Sequence, residues 1–228
     1  MTRPYLLLDA GNTLVHVDHA AIARALAEGG IDLDPERLRR AEWATRAVLD
    51  THDWATKTND SGRWGQYVGG ILVRAGLDER EARGWIDRIR AIDRARSLWR
   101  HVPGEVRRGL DRLAGAGVRM AVVSNSDGRV RALLTEAGLA GAFEFVLDSA
   151  EEGVEKPDPE IFRRALSRAG VSAQGAVYAG DIYHVDVVGA RSAGIEGILL
   201  DPGDHRADLD CARVRDLEEL AERLLAAP

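Results

Sequence analysis

Short apolar runs that end on polar residues alternate along this chain with stretches whose apolar positions recur every three or four residues. Tyr5–Leu8 is a continuous apolar run closed by Asp9, Gly11 and Asn12. That is the pattern of a strand buried on both faces, and so of a parallel sheet covered by helices. From Pro103 onward the two patterns alternate regularly. Helical stretches over 105–117, 129–139, 159–170 and 185–195 are interleaved with strand-like runs over 119–125, 143–149, 175–181 and 197–201. In the first of these helices Val106, Leu110 and Leu113 share one stripe, and Gly115, Gly117, Gly138, Gly170 and Gly194 stand where helices give way to strands. The alternation predicts an α/β fold, a doubly wound parallel sheet with right-handed crossovers. Its strands finish on Asp9, Ser124, Asp148, Asp181 and Asp201. In such sheets the ligand crevice lies outside the carboxyl ends of the strands.

Residues 16–101 break the alternation. Their apolar spacing is helical over 20–30, 35–50, 62–76 and 78–99, with no strand run between, and Trp43, Trp54, Trp64, Trp85 and Trp99, all five tryptophans of the chain, fall here. The shift predicts an α-helical cap, residues 16–101, inserted into a core made of 1–15 and 102–228. Core packing of a small helical bundle accounts for the tryptophans.

Composition narrows the chemistry. At 228 residues, 45% hydrophobic and 30% charged, the chain has enough apolar material for a core without staples. A net charge of -6 argues against a nucleic-acid or anionic-membrane surface and leaves a small molecule as the expected partner. Cys211 is the single cysteine, which excludes a disulfide framework and a thiolate metal cluster and fits a reducing cytoplasm. No apolar run is long enough for a signal segment or a membrane span. Lys57 and Lys156 are the only lysines among 31 basic residues.

Four pieces carry candidate chemistry: Asp9, Ser124 followed by Asn125, Lys156 before Pro157, and Asp181 with Asp186. Together they hold what phosphoryl transfer needs. Asp9 is a carboxylate nucleophile; Ser124, Asn125 and Lys156 are groups to hold phosphate oxygens; Asp181 and Asp186 are further carboxylates for a hard divalent cation. Mg²⁺ is the ion that such an oxygen set with substrate phosphate suits.

The ordered set resembles the haloacid dehalogenase-like (HAD) hydrolase superfamily, in the branch with a helical cap after the first strand. The family's first motif, Asp with a following Thr, matches Asp9 and Thr13; its second matches Ser124; its third, Lys before Pro, matches Lys156; its fourth matches Gly180, Asp181 and Asp186. The resemblance implies a Mg²⁺-dependent hydrolase, of phosphatase type, that passes the phosphoryl group of a small phosphorylated molecule through an aspartyl phosphate. It implies Asp9, Asp181, Asp186 and the carbonyl of Gly11 as metal ligands. At Gly11 the family's phosphatases carry a second aspartate, a general acid and base, so the proton donor is missing here. His16 is close enough in sequence to take its place, and Asn12 can orient water. Branches lacking that aspartate supply alternatives. Haloacid dehalogenases need no metal and do not keep the pattern of Asp181 and Asp186. A phosphonoacetaldehyde hydrolase-like enzyme would use Lys57 of the cap as a Schiff base, and a third reading is a phospholigand-binding protein without turnover.

Overall fold

The computed structural model describes residues 3–57 and 60–226, apart from the side chains of 56, 57, 60 and 61. The four apolar residues of strand β1 (Tyr5–Leu8) are all buried, and β1 lies inside the sheet with a parallel neighbour on each edge. After it come β2 (His16–Val17) and five helices, α1 (His19–Glu28), α2 (Pro35–Leu49), α3 (His52–Lys57), α4 (Asp60–Arg74) and α5 (Glu79–Ala95), then β3 (Trp99–His101). The alternating part follows: α6 (Gly104–Gly115), β4 (Met120–Ser124), α7 (Val130–Glu136), β5 (Val146–Asp148), α8 (Ser149–Glu152), α9 (Pro159–Ala169), β6 (Ala176–Gly180), α10 (Val188–Ser192), β7 (Glu196–Leu200), β8 (Ala212–Val214) and α11 (Leu217–Ala226).

Six strands form one sheet in the order β5-β4-β1-β6-β7-β8, every pairing parallel. The chain runs outward from β1 through β4 to β5, then returns to the other side of β1 and runs outward again from β6. Strand order therefore reverses at β1, and at such a switch point the helices on the two faces leave a crevice at the strands' carboxyl ends. Register sets what meets there: Leu8 stands opposite Val122 on one side and Ala179 on the other. Asp9, Ser124 and Asp181 are thus brought to one edge of the sheet.

The strand-like runs at the four predicted positions in the second half are present, some of them shorter. The run over 143–149 narrows to β5, and the helix over 185–195 begins as a π-helical turn at Tyr183–Val187 before α10. The turn is held from inside, because Asp186 Oδ2 accepts the Ile182 N–H at 2.9 Å. Gly180 is required beneath it, since a Cβ at that position would collide with the Asp186 carboxylate.

By its internal contacts the chain divides into two units, residues 1–16 with 102–228, and residues 17–101. The helical reading of 16–101 missed the two short strands β2 and β3, which pair in a two-stranded sheet. Two or three residues are too few to show a period of two. Inside the helical unit Ile22, Leu26, Leu38, Ile71, Leu72 and Ile89 are fully buried, with Trp85 beside them and Trp64 and Trp99 packed against the cluster. Guanidinium groups cover four of the tryptophans, Arg39 over Trp43 at 4.5 Å, Arg63 over Trp54 at 5.9 Å, Arg88 over Trp85 at 4.2 Å and Arg90 over Trp64 at 4.5 Å.

The same unit buries a charged row. Glu42 is 3.0 Å from His19 Nε2 through one oxygen and 3.0 Å from Arg46 Nε through the other, with all three side chains nearly out of solvent. Burial alone would raise the Glu42 pKa; Arg46 and then His19 overcome it, and the carboxyl lies below its ordinary value of 4.5. A carboxyl with a depressed folded pKa contributes stability above its unfolded value and loses it as pH falls through the folded one. Because all five tryptophans lie between residues 43 and 99, their fluorescence reports this unit. Urea unfolding followed that way is expected to weaken as pH drops below 4.5, and Glu42→Gln is expected to flatten that part of the profile; an unchanged slope in the variant would show that Glu42 is not the titrating group.

Candidate active site

β1 delivers Asp9 between the ends of β4 and β6. The Asp9 main-chain N–H continues the ladder to the Ala179 carbonyl at 2.9 Å, so the sheet itself fixes the base of the side chain. Beyond it the chain turns tightly. The N–H groups of Leu14 and Val15 donate to the Ala10 carbonyl at 2.9 and 3.0 Å, and that of Asn12 donates to Val15 O at 2.8 Å. The left-handed residue of this turn is Asn12, φ 53°, whereas Gly11 does not take a positive φ and instead bridges to Val15. Asparagine tolerates that conformation better than most side chains, and from it Asn12 Nδ2 donates to Asp181 Oδ2 at 3.3 Å.

Lys156, in the loop ahead of α9, is 1% exposed. Its Nζ donates to Asp9 Oδ1, Asp186 Oδ1 and the Tyr178 hydroxyl, each at 2.7 Å. An ammonium has three N–H donors, so every one is spent on these partners. The Tyr178 hydroxyl lies 3.0 Å from both Val123 O and Asp186 Oδ1, and its single proton serves one of them at a time. Burial alone would lower the Lys156 pKa; Asp186 and Asp9 overcome it and hold the ammonium above its usual value. Burial likewise pushes Asp9 up to about 6, against the pull of Lys156.

Asp9, Asp181 and Asp186 each bring a carboxylate oxygen within 4.8 Å of the others. One ammonium, paired with two of these three carboxylates, leaves the cluster short of positive charge. Hard oxygen donors at that spacing fit a divalent cation such as Mg²⁺.

The other expected site residues fall in different places. Ser124 ends β4, 3% exposed, and its hydroxyl makes no hydrogen bond to a described residue. Thr13 is fully buried, and its hydroxyl has no hydrogen-bond partner among the described residues. Asn125, expected to contact the substrate, uses its side chain on Lys156: Nδ2 donates to Lys156 O at 2.9 Å, and the Lys156 N–H donates to Oδ1 at 2.8 Å. Asp148 and Asp201, two other strand-end carboxylates, serve local structure. Asp148 accepts from the N–H groups of Gly128, Val130 and Ala150, and Asp201 from those of His205 and Arg206 and from Arg213. His16 lies in β2, and His184 packs edge-on against Tyr183. Lys57 ends α3, and its side chain lies outside the described residues.

Tyr178 went unread in the sequence. The signal was an aromatic hydroxyl in the middle of an aliphatic strand, AVYAG, since a buried tyrosine needs a partner for its oxygen. The Asn125 clamp leads to an expected result. Asn125→Ala removes both hydrogen bonds to the Lys156 main chain, worth roughly 1 kcal/mol each, and frees the lysine to wander from Asp9. Turnover and thermal stability are expected to fall with KM nearly unchanged, and a raised KM with kcat intact would restore Asn125 to a substrate contact.

A doubly wound sheet with a buried carboxylate–lysine–carboxylate cluster at its switch point defines a class of site suited to covalent catalysis by a carboxylate. The chain belongs to the haloacid dehalogenase-like hydrolase family, whose sequence model matches residues 5–194. It is 41% identical over 112 residues to the haloacid dehalogenase-like hydrolase domain-containing protein 3 of Danio rerio, a match of 47% of this chain and 46% of that protein. It is 41% identical over 114 residues to a phosphoserine phosphatase of Thermus thermophilus, again 47% and 46% of the two chains. The match thus spans less than half the length of each of these relatives. A solved structure of a 2-haloacid dehalogenase from Pseudomonas syringae pv. Tomato DC3000 aligns over 99% of both chains with a TM-score of 0.59 and 28% identity. Among the described residues no helix is long and apolar enough to cross a membrane.

Proposed function

We propose that the chain is a Mg²⁺-dependent phosphatase that transfers the phosphoryl group of a small phosphorylated molecule to Asp9 and then to water. The observation that carries this reading is the cluster itself: three carboxylates with oxygens within 4.8 Å of one another, two of them paired with a buried lysine. Asp9, Asp181 and Asp186 would hold the cation, with the Gly11 carbonyl that the family resemblance adds. Bound there, Mg²⁺ supplies the positive charge that lets an anionic nucleophile approach an anionic phosphate. Lys156 keeps Asp9 oriented through Oδ1 and keeps it ionised, so that the other carboxylate oxygen attacks phosphorus in line. Ser124, whose hydroxyl is not engaged by any described residue, holds an equatorial phosphate oxygen. Residues 16–101 act as the cap in this reading and choose the substrate. A reducing cytoplasm is the compartment that suits the lone Cys211.

The likeness to a 2-haloacid dehalogenase across the whole chain favours a second reading, in which Asp9 displaces halide from carbon. Asp181 weighs against it, since a carboxylate added to the cluster only deepens its negative charge unless a cation is bound.

Metal removal separates the two readings. EDTA is expected to abolish phosphate release from p-nitrophenyl phosphate, and added Mg²⁺ to restore it. Asp181→Asn is expected to raise the Mg²⁺ concentration for half-maximal rate by at least ~10-fold. Chloride release from 2-chloropropionate that EDTA leaves untouched would replace the phosphatase reading with the dehalogenase one.

A further inference from the structure

We infer that the substrate is an acyl phosphate, a mixed anhydride of phosphoric and carboxylic acids, in preference to a phosphate ester of an alcohol. The inference rests on the phosphoryl-transfer reading above and names the class of molecule the site turns over.

It follows from what surrounds the nucleophile. Among the described residues the side chain that hydrogen-bonds to the Asp9 carboxylate is Lys156. Its three protons are engaged at 2.7 Å with Asp9, Asp186 and Tyr178, so donating one to a leaving group would break the arrangement that holds the nucleophile. The Tyr178 proton is directed at Val123 O or Asp186, not at Asp9. Two residues past Asp9, Gly11 contributes backbone alone, and its bridge to Val15 ties that backbone into the turn. The neighbouring side chains of the turn, the amide of Asn12 and the hydroxyl of Thr13, are not acids at neutral pH. Asp181 and Asp186 are the carboxylates that would hold the cation in this reading. Among the described residues of the core unit, then, no acid besides Lys156 is hydrogen-bonded to Asp9; His16, the remaining titratable side chain of this segment, lies beyond the turn in β2, which pairs with β3.

Leaving-group chemistry then decides. In the first step an Asp9 oxygen forms a bond to phosphorus and the bond from phosphorus to the leaving oxygen breaks, with its electron pair departing on that oxygen. An alkoxide is too basic to depart readily without a proton. A carboxylate is stable as it leaves and needs none. In the second step water attacks the phosphorus of phospho-Asp9, the bond to the Asp9 oxygen breaks, and Asp9 departs as a carboxylate while the proton of water passes to phosphate and solvent. That bond is itself an acyl phosphate bond, so neither half-reaction demands an acid. Positioned proton transfer contributes about 10²- to 10⁴-fold in rate where it is used, and alcohol esters forfeit that factor here.

The test compares acetyl phosphate, p-nitrophenyl phosphate and glycerol 3-phosphate with the full chain in Mg²⁺, with the rates of Asp9→Asn subtracted as background. The expected kcat/KM for acetyl phosphate exceeds that for glycerol 3-phosphate by at least ~10²-fold, with the aryl ester between. Gly11→Asp, which faces no left-handed backbone, is expected to narrow the gap by raising the glycerol 3-phosphate rate. The wild-type comparison stands even if that variant does not fold. Glycerol 3-phosphate turned over within a few-fold of acetyl phosphate, with the rate lost in Asp9→Asn, would overturn the inference and leave the phosphatase reading standing. No Asp9-dependent phosphate release from any of the three would overturn both.

Discussion

Asp9→Asn is expected to lower phosphate release by ~10⁴-fold or more, a loss of the size seen when the nucleophile of a covalent mechanism is removed. The amide keeps the shape of the carboxylate and lacks its charge and nucleophilicity. Its effect on the fold is expected to be small, because Lys156 retains Asp186 and Tyr178 as partners at 2.7 Å and no buried carboxylate is left unpaired. The variant should therefore melt near the wild type while its turnover vanishes. That split between activity and stability marks a chemical role, and parallel losses of both would mark a structural one. Equal turnover by the variant, in a preparation free of contaminating phosphatase, would remove Asp9 from the mechanism.

Lys156→Met has a second large effect of the opposite kind. The lysine is fully buried and is the counter-charge of two buried carboxylates. Breaking such a pair by removing one partner costs roughly 3–5 kcal/mol, since the remaining charge stays desolvated and uncompensated. In EDTA, where no cation can take the lysine's place, urea unfolding at pH 8 is expected to show a loss of that size. The deficit should shrink toward pH 5. Without Lys156 the folded-state pKa of Asp9 lies above its unfolded value, raised by burial and by Asp186. A carboxyl with a raised folded pKa adds stability below that value and loses it as pH rises through it. A deficit that stayed constant from pH 5 to 8 would show that lost packing, not uncompensated charge, sets the cost. Activity is expected to be lost at every pH, since Asp9 is then neither oriented nor kept ionised.

Much of this fold was legible because the core strands are short and unmixed. Tyr5–Leu8, Met120–Ser124 and Ala176–Gly180 are buried along their whole length, and a strand covered on both faces shows as a plain apolar run. The polar residue closing each run was also visible: Asp9 and Asp181 come within reach of each other, and Ser124 ends the strand beside β1. Asp148 and Asp201 have the same position in the pattern and do something else, binding the N–H groups of their own loops. Nothing in a run followed by aspartate separates these cases. What distinguishes them is distance from the central strand, which depends on strand order and so on long-range pairing.

The network behind Asp9 was less legible for a related reason. Lys156 could be paired with the aspartates by its order in the chain, but the use of all three of its donors inside the cluster depends on Tyr178, and on Asn125 holding its main chain. Those contacts join residues 22 and 31 positions from Lys156, and no periodicity relates them. The left-handed residue of the first turn is Asn12, whose amide reaches Asp181, and no pattern in the sequence marks it. The short strands at the ends of the helical unit escaped notice because two or three residues carry no pattern.

The central claim is that Asp9 becomes phosphorylated. The measurement that meets it most directly is acid quenching of the full chain during turnover of acetyl phosphate in Mg²⁺, followed by peptide mapping by mass spectrometry. The account predicts one phosphoryl group on the peptide carrying Asp9, absent in Asp9→Asn and absent without Mg²⁺. Turnover at the wild-type rate with no phosphorylated Asp9 at any quench time, or with the phosphoryl group on another residue, would contradict it.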